Sequence, residues 1–562
     1  ICISSFKQSH SLSLRNMTTT ATTTTPTFVK PYVGAIDQGT SSTRFMLFDS
    51  HGHPVLSHAL PLTQHHPHPG WVQHDANEIM DATNKCIDEV MKKYEEQGLG
   101  QVSDIKAIGI TNQRETTLVW DKTTGKPYHH AIVWCDSRTS DVVASLIDKV
   151  GTLNWHPEGD VATPSNGATP NNKADQYQIT NRDYLREKSG LPLANYFSGV
   201  KLRWLLDNVA ELRAECQKGK CVMGTIDSWL IWNLTGGAQG GVHATDVTNA
   251  SRTLMMNLDT CKWDKESCDF LGVPMNILPE IKSSSEVYGT IASGPLKGIP
   301  VAGVLGDQQA AMVGQMCFER GQAKNTYGTG CFLLYNTGTD VVHSKHGLLT
   351  TVCYQLGKDA KVHYALEGSV AVAGAGVRWL IENLGIASSS KEIEQLAMTV
   401  KDTGGMYFVP AFSGLFAPYW RDDARGVMVG LTHHTNRAHF ARAILESTCY
   451  QTYDVLQAMQ KDSKDHLTEL RVDGGMTMNN LMCQIQSDVL RLPVLRPSNL
   501  ETTCFGAAYA AGLAVGVYKS SMEFREARKF TPIANQQDID LRIKDWHKAI
   551  SKSLNWVELK SN

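Results

Sequence analysis

Polar clusters that directly follow apolar, buried-looking strands recur along the chain, and they constrain its fold more than any other feature of the sequence. Three such pairs occur in the first half: residues 32–36 before 37–44, residues 105–110 before 111–115, and residues 299–305 before 306–309. A fourth strand over 45–49 makes the first pair a β-hairpin. Ligands collect at the carboxyl ends of strands in open α/β sheets, so these clusters predict a ligand site.

The second half repeats this organisation. A Thr-Tyr-Gly-Thr-Gly turn over 326–330 precedes a strand over 331–335, and a strand over 470–472 precedes Asp473-Gly474-Gly475. The apolar stripe of 439–459 predicts a long helix, and the Ala- and Gly-rich stretch 506–517 predicts a closely packed one. Two similar halves predict two related α/β domains that face one cleft.

Length and charge narrow the class of protein. At 562 residues, the chain exceeds the size at which one hydrophobic core keeps growing, so two large domains are expected. A formal net charge of −3 provides no basic face for nucleic acid, which favours a small soluble ligand. No apolar run approaches the roughly 18 residues of a membrane span. The 13 cysteines lack zinc-site spacing, and we expect reduced thiols in a cytoplasmic protein.

The first cluster, Asp37-Gln38-Gly39-Thr40-Ser41-Ser42, has the groups that a polyphosphate with Mg²⁺ requires. Gly39 leaves backbone N–H groups accessible, three hydroxyls can donate to phosphate oxygens, and one carboxylate can hold the metal. The Gly-Lys-Ser/Thr ending of a Walker motif is absent. An ordinary turn between strands is the alternative.

Two further sites offer acid–base and polar groups. Asp307 follows a strand, where a carboxylate can take the proton of an attacking hydroxyl; a helix N-cap is the alternative. Arg114 and Glu115 can reach one ligand together only from a loop, and a surface ion pair is the alternative.

These strings in this order resemble the FGGY family of carbohydrate kinases over about residues 32–517. The strings that carry the resemblance are residues 37–44, 109–117, 196–199, 306–310, 327–332 and 473–475. The resemblance implies an α/β fold of two actin-like (RNase-H-like) domains with ATP bound in the cleft between them. It also implies transfer of the γ-phosphate of ATP to glycerol, giving sn-glycerol 3-phosphate and ADP, as the first step of glycerol utilisation.

The resemblance also implies roles for individual residues. Asp307 would be the catalytic base and Asp37 would hold Mg²⁺. The glycerol site would consist of Arg114, Glu115, Tyr196, Asp307, Gln308, Trp134 and Phe332. The nucleotide site would consist of Thr40, Ser41, Ser42, Arg44, Thr329, Gly374, Gly475 and Asn479.

The expected organisation is a disordered arm over 1–31, an N-terminal kinase domain over 32–314, a C-terminal kinase domain over 315–520 and an extension over 521–562. Residues 151–177, rich in Pro, Asn, Gly, Ala and Thr, are expected to be an exposed insertion. A cytoplasmic location is expected. In the alternative, the Ser/Thr-rich arm is a transit peptide that directs the protein to an organelle. A homo-oligomer, dimer or tetramer, is expected.

Two other functions remain open at this point. A kinase for another polyol or sugar, such as xylulose, would share the scaffold and the nucleotide loops. A non-catalytic actin-like nucleotide-binding module would not need the polar groups of a triol site beside Asp307.

Overall fold

The computed structural model describes residues 28–153, 155 and 179–557. Most of the predicted arm (residues 1–27) and of the predicted insertion (154 and 156–177) lies outside the described residues, as do 558–562 of the predicted extension. Within the described residues, no helix combines the length and the apolar character needed to cross a membrane.

The first half of the chain contains 14 strands and nine α-helices in its described residues. The strands are β1 (Tyr32–Gln38), β2 (Ser42–Phe48), β3 (Pro54–Pro61), β4 (Gln73–His74), β5 (Ile105–Asn112), β6 (Leu118–Asp121), β7 (Ala131–Ile132), β8 (Cys221–Gly224), β9 (Ala244–Asp246), β10 (Met256–Asn257), β11 (Lys262–Trp263), β12 (Glu280–Lys282), β13 (Ser285–Thr290) and β14 (Pro300–Gly306). The helices are α1 (Ala76–Glu96), α2 (Ser140–Gly151), α3 (Arg186–Ser189), α4 (Ser198–Asn208), α5 (Leu212–Gln217), α6 (Ile226–Leu234), α7 (Val247–Ala250), α8 (Lys265–Leu271) and α9 (Asp307–Gly314).

The second half contains nine strands and six α-helices in its described residues. The strands are β15 (Ala323–Tyr327), β16 (Cys331–Gly338), β17 (Leu349–Tyr354), β18 (His363–Val370), β19 (Tyr407–Val409), β20 (Val427–Val429), β21 (Leu470–Asp473), β22 (Val494–Pro497) and β23 (Glu526–Phe530). The helices are α10 (Gly374–Glu382), α11 (Ser390–Met398), α12 (Arg437–Ser463), α13 (Asn480–Leu490), α14 (Thr502–Ala514) and α15 (Gln536–Ser553).

Two large sheets share one strand order over six strands, and the second sheet has β17 in addition. The first sheet runs β13-β14-β5-β1-β2-β3. Read in the corresponding direction, the second runs β23-β22-β21-β15-β16-β18-β17. In each, the first strand pairs antiparallel with the second and parallel with a later strand: β1 with β2 and β5, and β15 with β16 and β21. The two halves are therefore repeats of one unit, as the sequence predicted.

The predicted C-terminal extension packs on the second unit. Its strand β23 pairs antiparallel with β22 at the edge of the sheet. Helix α15 buries Trp546, whose ring stacks on that of Tyr450 in α12 with centroids 5.5 Å apart.

The predicted Ala- and Gly-rich helix, α14, packs against the sheet of the first unit through glycines. A Cβ atom at Gly109 of β5 would lie 2.2 Å from the carbonyl oxygen of Ala507, and one at Gly303 of β14 would lie 2.4 Å from the amide nitrogen of Ala511. Helices α9 and α14 meet in the same way, because a Cβ at Gly506 would lie 1.9 Å from the carbonyl oxygen of Ala310. Only glycine permits these backbone contacts.

The expectation of reduced thiols is wrong for one pair of cysteines. Cys216, at the end region of α5, and Cys221, at the start of β8, are joined by a disulfide. The short connection between these two elements brings the Cα atoms within 5.0 Å.

Because Gly506 is in backbone contact with α9, we expect Gly506→Ala to lower the free energy of unfolding by about 2 kcal/mol. The roughly 1 kcal/mol that alanine adds in helix propensity does not offset the clash. Urea unfolding followed by circular dichroism measures the change. Gly151→Ala is the control, because its Cβ would meet only Asn181 Nδ2 at 3.4 Å; equal effects of the two substitutions would contradict the packing described here.

Candidate active site

Three parallel strands of the first sheet end at the same level. Asn112, the last residue of β5, pairs with Gln38 of β1 on one side and with Gly306 of β14 on the other. The side chains that follow these strand ends therefore share one edge of the sheet. The side chain of Asn249 in α7 is hydrogen-bonded to this edge twice. Its Nδ2 donates to Asn112 Oδ1 over 3.1 Å, and its Oδ1 accepts from Asn112 Nδ2 over 2.9 Å.

The second sheet contributes a facing edge. Asp473, the last residue of β21, pairs with Thr326 of β15, and the turn that follows β15 leads to Phe332 on β16. Next to β16, strand β18 carries Glu367, which is level with Leu334. The strand-end loops of both units thus meet across one cleft.

A network of four buried charges joins the two edges. The guanidinium of Arg114 donates two hydrogen bonds to the carboxylate of Glu367, over 2.6 and 2.9 Å. Arg252 donates to Glu115 over 2.6 Å and to Glu367 over 3.2 Å. All four residues are at most 2% exposed. The alternative of a surface ion pair for Arg114 and Glu115 is therefore wrong.

The network is balanced, with two cations and two carboxylates. Burial favours protonation of Glu367, but the charges of Arg114 and Arg252 outweigh it and hold its pKa at about 2. Burial raises the pKa of Glu115, although Arg252 and Arg114 oppose this shift. Glu115 itself has a positive φ of 59°, and its carboxylate lies 2.6 Å from Arg252 Nε and 3.9 Å from Arg114 Nε.

Asp307 borders this network on the open side of the cleft. Its carboxylate forms an ion pair with Arg114, with 3.2 Å between Oδ1 and Nε, and accepts a hydrogen bond from the Gln308 amide over 2.8 Å; its side chain is 32% exposed. Asp307 is the first residue of α9, whose N-cap is Gly306, so the N-cap alternative does not apply. A partly exposed carboxylate fixed by a buried arginine can accept a proton from a bound hydroxyl.

Three aromatic rings line the cleft. Trp134 meets Tyr196 edge to face at 5.5 Å between centroids, and meets Phe332 of the second unit at 6.4 Å. The indole nitrogen of Trp134 donates to Thr40 Oγ1 over 2.9 Å, which joins this wall to the first polar cluster. The Arg252 guanidinium lies 5.6 Å from the Tyr196 ring.

Asp37 and Arg44 face each other across the first hairpin, and Arg44 also forms an ion pair with Glu501, just before α14. Burial raises the pKa of Asp37 to about 7; Arg44 opposes the shift, and the carboxylates of Asp307 and Glu501 add to it. Asp37 and Asp307 therefore repel each other, and a divalent cation would relieve this repulsion. Mg²⁺ binds through one or two carboxylates plus phosphate oxygens, so the residues present fit this ion.

The predicted nucleotide residues of the second unit lie on adjoining loops. The Gly374 amide donates to the Gly328 carbonyl over 3.0 Å, and the Ala375 amide to the Thr329 carbonyl over 3.0 Å. Thr329 is exposed, and no atom lies within 4 Å of the Cβ position of Gly475. Asn479 caps α13 by accepting from the Met482 amide over 2.9 Å.

The sequence reasoning missed three charged residues of the site: Glu367, Arg252 and Lys324. Lys324 donates to Gln308 Oε1 and, over 3.0 Å, to Thr326 Oγ1; burial lowers its pKa to about 8. A signal existed for two of them, because Glu367 and Lys324 are single charges in strands that are otherwise uncharged. Arg252 follows the short helix α7 in an irregular segment without such a pattern.

Comparison with protein families agrees with this geometry. The N-terminal domain of the FGGY family of carbohydrate kinases matches residues 32–158 and 171–314, and its C-terminal domain matches residues 323–515. The chain belongs to the FGGY family of carbohydrate kinases, and it has the two-domain actin-like fold of these ATP-dependent kinases.

Full-length relatives within the family are more specific. The chain is 64% identical over 543 residues to a probable glycerol kinase of Dictyostelium discoideum, covering 95% of this chain and 100% of that protein. It is 53% identical over 532 residues to a glycerol kinase of Pseudarthrobacter chlorophenolicus, covering 94% and 99%.

Solved structures give the same picture. Glycerol kinase of Plasmodium falciparum with ADP superposes with a TM-score of 0.82 at 36% identity, covering 95% of this chain and 100% of that one. Gluconate kinase of Lactobacillus acidophilus superposes with a TM-score of 0.77 at 20% identity, covering 93% and 97%, which shows the fold alone.

We expect Glu367→Gln to lower the free energy of unfolding by about 3 kcal/mol, because it leaves two buried guanidinium groups without their shared counter-charge. Denaturant unfolding at pH 7 measures this loss. Glu266→Gln is the control: its side chain is 82% exposed and pairs with Lys188 at the surface, where a pair is worth about 0–1 kcal/mol. A loss for Glu367→Gln no larger than that of the control would contradict the role of the network.

Proposed function

We propose that this chain is a glycerol kinase, which transfers the γ-phosphate of ATP to glycerol and releases sn-glycerol 3-phosphate and ADP. The observation that carries the proposal is the convergence of Arg114, Glu115 and Asp307 with the ring of Tyr196 nearby, from loops remote in the sequence. The identities to glycerol kinases over nearly the whole chain support the same substrate.

The polar groups of the site suit a triol. Arg114 offers donors, Glu115 and Asp307 offer acceptors, and Gln308 and Tyr196 offer further hydrogen bonds to the three hydroxyls. Trp134 and Phe332 would cover the carbon backbone. A site with fixed donors and acceptors discriminates strongly against molecules that leave them without partners.

Asp307 would take the proton from a terminal hydroxyl of glycerol as the hydroxyl oxygen attacks the γ-phosphorus of ATP. A new O–P bond forms while the bond between the γ-phosphorus and the bridging oxygen breaks, and ADP leaves with that electron pair. Arg114 would keep the Asp307 carboxylate in position. Phosphoryl transfer depends chiefly on such alignment and on charge neutralisation.

The phosphates would be held by the first hairpin, through Thr40, Ser41, Ser42 and Arg44. Asp37 would hold Mg²⁺, which neutralises phosphate charge when bound. Thr329 and Gly374 would contact the nucleotide from the second unit, with Gly475 and Asn479 toward the adenosine. Because ATP and glycerol would then touch both units, closure of the cleft would exclude water as a competing acceptor.

The division into domains 32–314 and 315–520 with an extension over 521–562, the homo-oligomeric state and the cytoplasmic location remain proposals. The alternating contributions of both units to one site support the two-domain division. The homo-oligomeric state and the cytoplasmic location rest on the sequence.

Phosphorylation of xylulose is the nearest alternative to the proposed phosphorylation of glycerol, and a panel of substrates decides between the two. In a coupled assay of ADP release, we expect kcat/KM for glycerol to exceed that for xylulose by at least ~100-fold, because the two additional carbons of xylulose would bring polar groups into the site without hydrogen-bond partners. Dihydroxyacetone and glyceraldehyde test the tolerance for a carbonyl group. A higher kcat/KM for xylulose would overturn the proposed substrate.

We expect Asp307→Asn to lower kcat by at least ~100-fold, because the amide cannot accept the proton. Binding of ATP and of glycerol, measured by calorimetry, should change less than ~3-fold, since the amide keeps the shape and an acceptor oxygen. Asp269→Asn is the control, an exposed carboxylate that pairs with Lys265 on α8. Near-normal turnover of Asp307→Asn would exclude this residue as the base.

A further inference from the structure

A second cavity, of about 550 Å³, lies away from the proposed active site. Tyr354 and His363 line it at one end of the β17–β18 pair, whereas Glu367 pairs with Leu349 at the other end. Glu367 is four residue steps along the strand from His363, which is about 13 Å. The cavity is thus distinct from the cleft, and its volume lies within the range of small-molecule sites, about 300–1,000 Å³.

The walls of this cavity come from both units. Ser285 belongs to β13 in the first matched family domain, Tyr354 and His363 belong to the second, and Phe318 lies in the segment between the two matched regions. Tyr509 of α14 also lines the cavity. A molecule in this cavity would therefore touch both domains and the connection between them.

Aromatic rings form one side of the cavity and are held in place. Phe318 stacks on Tyr509 at 5.7 Å between centroids with an interplanar angle of 26°, and Tyr354 stacks on His363 at 4.8 Å with the same angle. The Tyr354 hydroxyl donates to the Phe318 carbonyl over 3.1 Å, and the Tyr509 hydroxyl to the Lys519 carbonyl over 3.2 Å. Fixed ring faces with occupied hydroxyls favour a flat, apolar ligand.

Lys361 is the one lysine or arginine among the residues that line the cavity. Lys361 is exposed at the rim and makes no ion pair with any residue that the structure describes. Burial lowers the pKa of the His363 imidazole below its ordinary value, which favours the neutral ring. The lining contains no carboxylate. A ligand with a single negative charge complements it.

We propose that this cavity is a second binding site, for a small aromatic monoanion, and that its occupancy is linked to ligand binding in the active cleft. A ligand that contacts both domains binds different domain arrangements with different affinity, so it shifts their populations. By reciprocity, ligands of the cleft change the affinity of this second site by the same factor.

The probe is 8-anilinonaphthalene-1-sulfonate, an aromatic monoanion whose fluorescence rises on binding. We titrate it into the full chain saturated with ADP and glycerol, so that the cleft is occupied, and expect one saturable site per chain. Lys361→Glu should raise its Kd at least tenfold because it replaces the cation by a like charge, and Ala360→Phe should raise it by filling the cavity. Lys358→Glu, the same charge change in the same connection between β17 and β18 but outside the lining, should change Kd less than twofold.

Absence of a saturable site in the unmodified chain, or equal Kd values for Lys361→Glu and Lys358→Glu, would overturn the binding site. For the linkage, we expect Kd of the probe to differ at least threefold with and without ADP and glycerol, and an unchanged Kd would overturn it. Thermal unfolding midpoints verify that the variants are folded. Because fluorescence reports binding and not turnover, failure of this site is distinguishable from failure of the proposed activity.

Discussion

The ion pair between Arg114 and Glu367 is the contact on which the arrangement of the active cleft depends. Arg114 follows a strand of the first sheet, Glu367 lies within a strand of the second, and the two side chains meet through two hydrogen bonds away from water. A buried guanidinium is stable only with its counter-charge in place, so a movement of the two domains that broke this pair would leave charges unpaired, whereas a rotation about it would not. The polar site and the domain junction are therefore one structure.

This contact also explains how the remaining side chains are oriented. Arg252 neutralises Glu115 and shares Glu367, which leaves the four charges balanced, and Arg114 directs its remaining nitrogen toward Asp307. Asp307 is the most exposed of these carboxylates, at 32% of its side chain. The buried charges thus fix the shape of the site, and the partly exposed carboxylate is the group available for proton transfer. The second cavity lies at the far end of the same β17–β18 pair, so both sites adjoin the junction of the two domains.

Much of the architecture was predictable because it depends on local pattern. The first hairpin, the strands that precede the polar clusters, the long helix α12 and the close-packed α14 all occur where apolar periodicity and turn residues placed them, with boundaries that differ by a few residues. The polar clusters lie at strand ends as predicted. The buried state of Arg114 and Glu115 was not decidable from the residues, because an adjacent pair of opposite charges is compatible with either a surface or a loop in the interior. The disulfide between Cys216 and Cys221 was missed for a similar reason, since spacing does not reveal the distance between two side chains.

The sequence by itself determined the two repeated α/β units, the polar strand ends and, through its strings of motif residues, the family. Only the tertiary structure decided which of these strand ends face one another, and it brought in Glu367, Arg252 and Lys324. The physical reason is that apolar periodicity and turn chemistry act between neighbours in the chain. The pairing of charges 115 to 253 residues apart depends on how two sheets pack, and no local pattern encodes that geometry.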